Sequence, residues 1–250
     1  MYASVPLGDG TEQYPTYQPR VKARGDTEGA TVLGELRVSR FLLETLTDRP
    51  VVSFRPGYLA TPPRLPEALE SSGYRFSSSA TAGNLTTHLP FRTNAQRLYS
   101  QETKVFEFPI AIEDEIPPIM DQRVDAAVEL AEKLARYGAS YVMLLHPNEV
   151  DHKYRFLEQI LPRLKPLAWF GTLGQYGSWW AARDKVEVDV LTQRGKIELA
   201  IQAQEPIEDL AFQLPDGLRP VAGNAMQKLP DGQWLLRSVR PGAIESPLTK

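Results

Sequence analysis

The chain has 250 residues, 42% of them hydrophobic and 24% charged, with a formal net charge of -3. That length holds one large α/β domain or a domain with a small appendage, and the slight negative charge carries no polyanion-binding signature, which excludes nucleic acid as a default partner. No apolar run approaches the roughly 20 residues of a membrane-crossing helix, and the absence of cysteine excludes disulfides, thiolate metal sites and a cysteine nucleophile.

The first thirty residues are rich in Gly, Pro, Tyr and charge, with breaks at Pro6-Leu7-Gly8-Asp9-Gly10, Tyr14-Pro15 and Gln18-Pro19. They read as an extended loop. A helix follows over Val32 to Leu46, where Leu33, Leu36, Leu43 and Leu46 recur at helical spacing. Val51-Val52-Ser53-Phe54 reads as a strand stopped by Arg55-Pro56-Gly57-Tyr58. Pro62 to Ser72 reads as a helix with Gly73 as its C′ residue. Ser77 to Ser100 is polar and aperiodic, hence loop; Val105 to Ile110 reads as a strand.

The clearest helix runs from Asp121 to Tyr137, with Val124, Ala127, Val128, Ala131, Leu134 and Ala135 on one face and Gly138 closing it. Tyr141-Val142-Met143-Leu144-Leu145 suits a strand buried on both faces of a parallel sheet, with His146 at its C-terminal end. Val150 to Leu164 reads as a helix, Leu167 to Phe170 as a short strand and Thr172 to Arg183 as a short helix. The alternation argues for parallel strands joined by crossover helices. From Lys185 the period changes to two: Lys185 to Val190 and Lys196 to Ile201 alternate around Gln193-Arg194-Gly195, and Ala211 to Leu214 and Gln233 to Val239 read as further strands. The expected organisation is an α/β region over 1–184 and a small antiparallel β unit over 185–250.

The residues that can carry chemistry stand just past strand ends, where α/β folds build their sites. Arg55 there orients a carboxylate through a bidentate pair, and His146 supplies a proton near neutral pH. Structural readings stand beside these: an ion pair for Arg55 and a strand-end cap for His146. There are three histidines, His88, His146 and His152; His88 and His152 read as surface residues, His152 on a charged face between Asp151 and Lys153. The cluster Glu113-Asp114-Glu115 reads as a solvated loop. Trp179-Trp180 near Tyr176 offers flat faces for a sugar ring, or a core anchor. A phosphate loop and a serine-hydrolase elbow are not indicated.

Val51 to Tyr58, Gly73-Tyr74 with Ser77-Ser78-Ser79, Glu107-Phe108-Pro109 and Met143-Leu144-Leu145-His146-Pro147 together resemble the polysaccharide deacetylase family, the NodB-homology domain, in order over roughly residues 30 to 184. The resemblance implies a partial distorted (β/α) barrel and a carbohydrate esterase or amidase that removes acetyl groups from a glycan. In that family a metal-bound water attacks the acetyl carbonyl, the metal commonly being zinc. Arg55 and Tyr58 match its Arg-x-Pro-Tyr groove wall, with Gly57 in place of a proline, and His146 matches its acid histidine; Ser77 stands where relatives often carry Asp. The implied site is catalytic His146 and Arg55, with Tyr58, Pro56 and Trp180 on the glycan. The family's metal-ligand motifs should precede Arg55, yet no histidine occurs before His88, and Asp9, Asp26 and Asp48 stand in loop-like surroundings. The chain is therefore expected to begin after those motifs, to lack a metal set, and to self-associate through an incomplete barrel edge. The alternatives are a non-catalytic glycan-binding or structural module from the same barrel and a metal-independent esterase using Asp or Glu with His146. No signal peptide is visible, although the family resemblance implies the cell envelope or exterior.

Overall fold

The structure is a computed structural model that describes residues 20–23, 26–28, 31–62, 64–97, 99, 101–193, 195–221 and 225–249. The chain divides into two compact units, Met1–Gly174 and Gln175–Lys250. The first mixes helices with mainly parallel strands and the second is built on antiparallel sheets, so the α/β class read from the sequence holds.

The first unit opens with a correction. Part of the expected leading loop is a hairpin, β1 (Arg20–Ala23) against β2 (Asp26–Glu28); the segment 1–19, including Asp9, lies outside the described residues. Helix α1 (Val32–Thr47) begins where Thr31 accepts a hydrogen bond from the Gly34 N–H on its side chain, a cap that satisfies an otherwise orphaned donor. Strand β3 (Ser53–Phe54) and helix α2 (Leu65–Ser71) follow, and Gly73 ends the helix at φ +79°. A glycine is favoured there, because a side chain disfavours that φ and a Cβ would displace the Arg40 guanidinium, which stands 1.8 Å from its position.

The aperiodic stretch after Ser77 is not all loop. Strand β4 (Phe76–Ser77), helix α3 (Ala82–Leu85) and strand β5 (Phe91–Asn94) lie there, and β5 runs antiparallel to β6 (Glu102–Glu107). Strands β3, β4 and β6 are parallel neighbours in that order. The chain then steps through Phe108-Pro109 into β7 (Ile110–Glu113), which pairs in parallel with β8 (Val142–Leu144). A parallel bridge between Thr81 and Ile110 carries the β4 side onto β7. The order β3, β4, β6 then β7, β8 matches chain order, and the intervening helices put every parallel strand end on a common sense of direction. Among the described residues the strands do not close into a barrel.

Helix α4 (Val124–Arg136), preceded by a 3-10 turn from Met120 to Arg123, and helix α5 (Val150–Leu164) pack their apolar stripes together around Met120, Phe156 and Ile160, each fully buried. Two expectations fail nearby. Leu167 to Phe170 form no strand: the N–H groups of Leu167 and Ala168 both go to Leu164 O, closing α5, and the side chains of Leu167, Trp169 and Phe170 stand exposed. Strand β8 has β7 as its neighbour and is only half-buried at Val142 and Met143, where burial on both faces was expected.

In the second unit α6 (Leu173–Arg183), which starts two residues before the division, leads into the hairpin β9 (Val186–Gln193) and β10 (Lys196–Ala203). Then come β11 (Ile207–Phe212), β12 (Arg219–Pro220), β13 (Met226–Lys228), β14 (Trp234–Val239) and β15 (Gly242–Thr249). They form two sheets, β12-β15-β10-β9 and β11-β14-β13. Leu199 and Ile201 of one sheet and Leu210, Leu236 and Val239 of the other share a single apolar core. No helix among the described residues is long and apolar enough to cross a membrane.

Candidate functional site

The first unit holds two polar centres at strand ends. The first is built on β7 and β8. The paired register Ile110↔Val142, Ile112↔Met143 and Glu113↔Leu144 contains a bulge between Ile110 and Ile112. Such a bulge adds one residue and changes which face the following side chains take. Asp114, directly after β7, turns inward: its side chain is 0% exposed, whereas Glu115 next to it is 69% exposed.

The Asp114 carboxylate is held from three sides. The His146 backbone N–H donates to Oδ2 at 2.8 Å, the His146 ring Nδ1 lies 2.8 Å from Oδ1, and the Lys153 ammonium sits 2.5 Å from Oδ2. Burial alone would raise the Asp114 pKa; the bonds from Lys153 and from the His146 backbone and ring outweigh it and hold the carboxyl well below the usual range. An ionised carboxylate only accepts, so Nδ1 of His146 is the protonated, donating nitrogen. Nε2 is then the working nitrogen of a ring that is 40% exposed, and among the described residues no partner occupies it.

Lys153 stands on the first turns of α5 and is itself buried. Besides Asp114 it donates to His146 O at 2.9 Å, Asn148 O at 2.6 Å and Asn148 Oδ1 at 3.2 Å. One ammonium thus fixes the carboxylate and the turn that carries the histidine. His152, one residue earlier, accepts the Met120 N–H on its Nδ1. The acidic triplet and the Asp151-His152-Lys153 face were both read as solvated; Asp114 and Lys153 are instead the buried members of the site. His88 is half-buried with Nδ1 enclosed and, among the described residues, without a hydrogen-bond partner, and burial lowers its pKa.

The second centre joins β3, β4 and β6. Arg55 donates from Nε to Ser78 O at 2.9 Å and from its guanidinium to Ser78 Oγ at 2.8 Å. This ties the end of β3 to the end of β4 in place of the bidentate carboxylate pair expected from the sequence. Burial lowers the Arg55 pKa against the opposing pull of the Glu107 charge. Glu107 is 5% exposed, and its Oε1 accepts the N–H groups of Ser79 at 2.6 Å and Ala80 at 3.0 Å. Burial pushes its pKa up, against the lowering effect of Ser77, those two N–H groups and Arg55. Ser77, at the family's Asp position, is buried with Oγ 2.6 Å from Ser79 Oγ.

Arg55 and His146 thus serve separate centres; among the described residues they share no hydrogen bond or ion pair. Tyr58 is 89% exposed in a left-handed conformation after the half-buried Pro56, placing both on the surface beside Arg55. Trp180 belongs to the second unit. It is only 6% exposed, edge-on to Tyr176 and under the Arg183 guanidinium, so the expected open ring face for a sugar is covered. No protein-family model matches this sequence, and no curated protein matches it as a relative.

Proposed function

We propose that the chain is a polysaccharide-deacetylase-like carbohydrate esterase or amidase domain in which His146 is the general acid. The observation that carries this reading is the 2.8 Å bond from His146 Nδ1 to a fully buried Asp114 clamped by Lys153. The dyad stands just past β8, at a strand end of the kind on which α/β folds place their sites. The order of motifs shared with that family supplies the substrate class, an acylated glycan.

In this role a water oxygen adds to the acyl carbon, and as the bond from that carbon to the sugar breaks Nε2 transfers a proton to the departing oxygen or nitrogen; the free acid leaves, and the proton lost by the water restores the imidazolium through solvent. Asp114 fixes the tautomer and stabilises the imidazolium that exists before the transfer. Lys153 holds Asp114 ionised. Tyr58 and Pro56 line the approach to Arg55 as a glycan-binding wall.

The family's divalent metal does not fit the described residues. They contain no group of three or more His, Cys, Asp or Glu placed to hold one, and the Asp114 and His146 Nδ1 donors are already engaged with each other and with Lys153. No step is therefore routed through a metal.

The test is acetate release from N-acetylated chito-oligosaccharides and acetylated xylan, with and without a chelator. His146→Ala is expected to lower release by about 10²–10⁴-fold, and Asp114→Asn by at least about 10-fold, with glycan binding retained in both. Release that is indifferent to His146→Ala overturns the assignment. Glycan binding without release in any variant moves the reading to a binding module.

A further inference from the structure

Beside Glu107 lies a half-enclosed cavity of about 260 Å³. For scale, an apolar protein cavity of about 150 Å³ takes up benzene. Leu65 and Leu69 of α2, Leu85 of α3 and Phe91 of β5 supply apolar walls, and the polar lining is Glu107 with Ser77 and Ser79 beside it and Thr61, Thr93 and Asn94 elsewhere on the rim. Apolar walls with a few convergent polar groups and a perturbed carboxyl are the usual composition of a small-molecule site.

Around Glu107 the donors are already engaged. Ser79 and Ala80 spend their N–H groups on Glu107 Oε1, and the Ser77 and Ser79 hydroxyls are bonded to each other. Arg55 turns its Nε and one terminal nitrogen toward Ser78, and although its charge acts on Glu107, among the described residues it makes no ion pair with it. A carboxylate buried to that degree is costly to keep ionised; the nearby Arg55 charge offsets only part of the cost and leaves the Glu107 pKa raised, and the cavity has room for a second cation. The mostly apolar walls suit a hydrocarbon body and are a poor match for a sugar, so this site is separate from the glycan chemistry proposed for His146.

We propose that the cavity binds a small organic ammonium, with an aryl or short alkyl body against Leu65, Leu69, Leu85 and Phe91 and its cationic head on Glu107. The experiment titrates the full chain at pH 7 with 2-phenylethylamine, 2-phenylethanol and 3-phenylpropionate, following backbone amide shifts. The amine is expected to bind at least 10-fold tighter than the alcohol, the carboxylate not at all, with shifts centred on Ser79, Ala80 and Phe91. Glu107→Gln keeps the acceptor for Ser79 and Ala80 and should erase the preference for the amine while alcohol binding persists. Leu85→Trp should fill the cavity and abolish both. His146→Ala should bind the amine as the parent does, so a failed esterase assignment leaves this result intact. Equal affinity for amine and alcohol, an unchanged preference in Glu107→Gln, shifts elsewhere on the chain, or no binding of any of the three overturns the proposal.

Discussion

Lys153 shows how one side chain can set the chemistry of another that it never touches with its reacting end. Its ammonium engages Asp114, His146 O and Asn148 at once, so removing it leaves a fully buried carboxylate without its cation. Lys153→Met should destabilise the protein by about 3–5 kcal/mol, the cost of breaking a buried pair, read as a drop in chemical-denaturation midpoint. Under conditions where it remains folded, acetate release should fall and its pH profile should shift, because without the Lys153 bond the buried Asp114 carboxyl takes up a proton at higher pH and then no longer holds the imidazole by charge. A variant that loses stability but keeps the parental profile would reduce Lys153 to a structural brace. His146 was legible from its place after an apolar strand. Asp114 and Lys153 were not, because each sits in a run of charges whose composition says surface. Only the fold, which sets His146 and Lys153 against Asp114, shows which of Glu113, Asp114 and Glu115 turns inward.

At the scale of elements, periodic segments were readable and short ones were not. Helix α5 was expected over Val150 to Leu164 and is found over those residues; α1 and α4 agree to within a turn. In α4 and α5 a long apolar stripe is met by core contacts; in α1 only Leu33 and Leu36 of the expected stripe are buried, and Leu43 and Leu46 stand exposed. Phe156 is fully buried between α4 and α5, so Phe156→Ala should cost about 3–5 kcal/mol, a change measurable as a lowered denaturation midpoint with the secondary structure retained. Strands β3 and β4 contain two residues each, too few for alternation to show, and β5 was hidden in a polar stretch because its side chains are half-exposed. Leu167 to Phe170 misled for the opposite reason. The segment is apolar, but its first N–H groups are consumed in closing α5 and leave no ladder to build. Gly73, by contrast, was identified from sequence grammar alone. Gly73→Ala should destabilise by about 1–3 kcal/mol through its positive φ, with a further loss from displacing Arg40, which donates to Ser72 O at 2.6 Å. A thermal shift of zero would mean that Arg40 and the turn relax without cost.

Across the whole molecule, the change from helix-strand alternation to period-two strands marked a two-part chain, and the α/β reading follows from it. Barrel closure was not decidable from that pattern, since it depends on the edges of β3 and β8 and not on their periodicity. The global stability should carry the signature of the two buried carboxylates in the first unit, and their signs are opposite. Glu107 has a raised pKa in the folded state, so its contribution is complete below its ordinary value of 4.5 and is lost as pH rises through the raised value. Asp114 has a depressed pKa, so its contribution is complete above its ordinary value of 3.8 and is lost as pH falls through the depressed one. Together they favour mildly acid solution over neutral, with a steep loss only at strongly acid pH. Half-buried His88, whose pKa is lowered, loses stability on acidification in the same sense as Asp114. It complicates the parental curve but cancels in the difference between a variant and the parent. Glu107→Gln keeps the acceptor for Ser79 and Ala80 and removes the charge, so its melting temperature should exceed the parental one near pH 8 and converge with it near pH 4.5. Asp114→Asn should melt below the parent at pH 7, with a gap that narrows as the solution is acidified below pH 3.8. A Glu107→Gln difference that is constant between pH 4.5 and pH 8 would mean that Glu107 ionises alike in folded and unfolded chains. The buried carboxylate would then carry no unmet charge, and the case for a cationic ligand beside it would fall with the pH dependence.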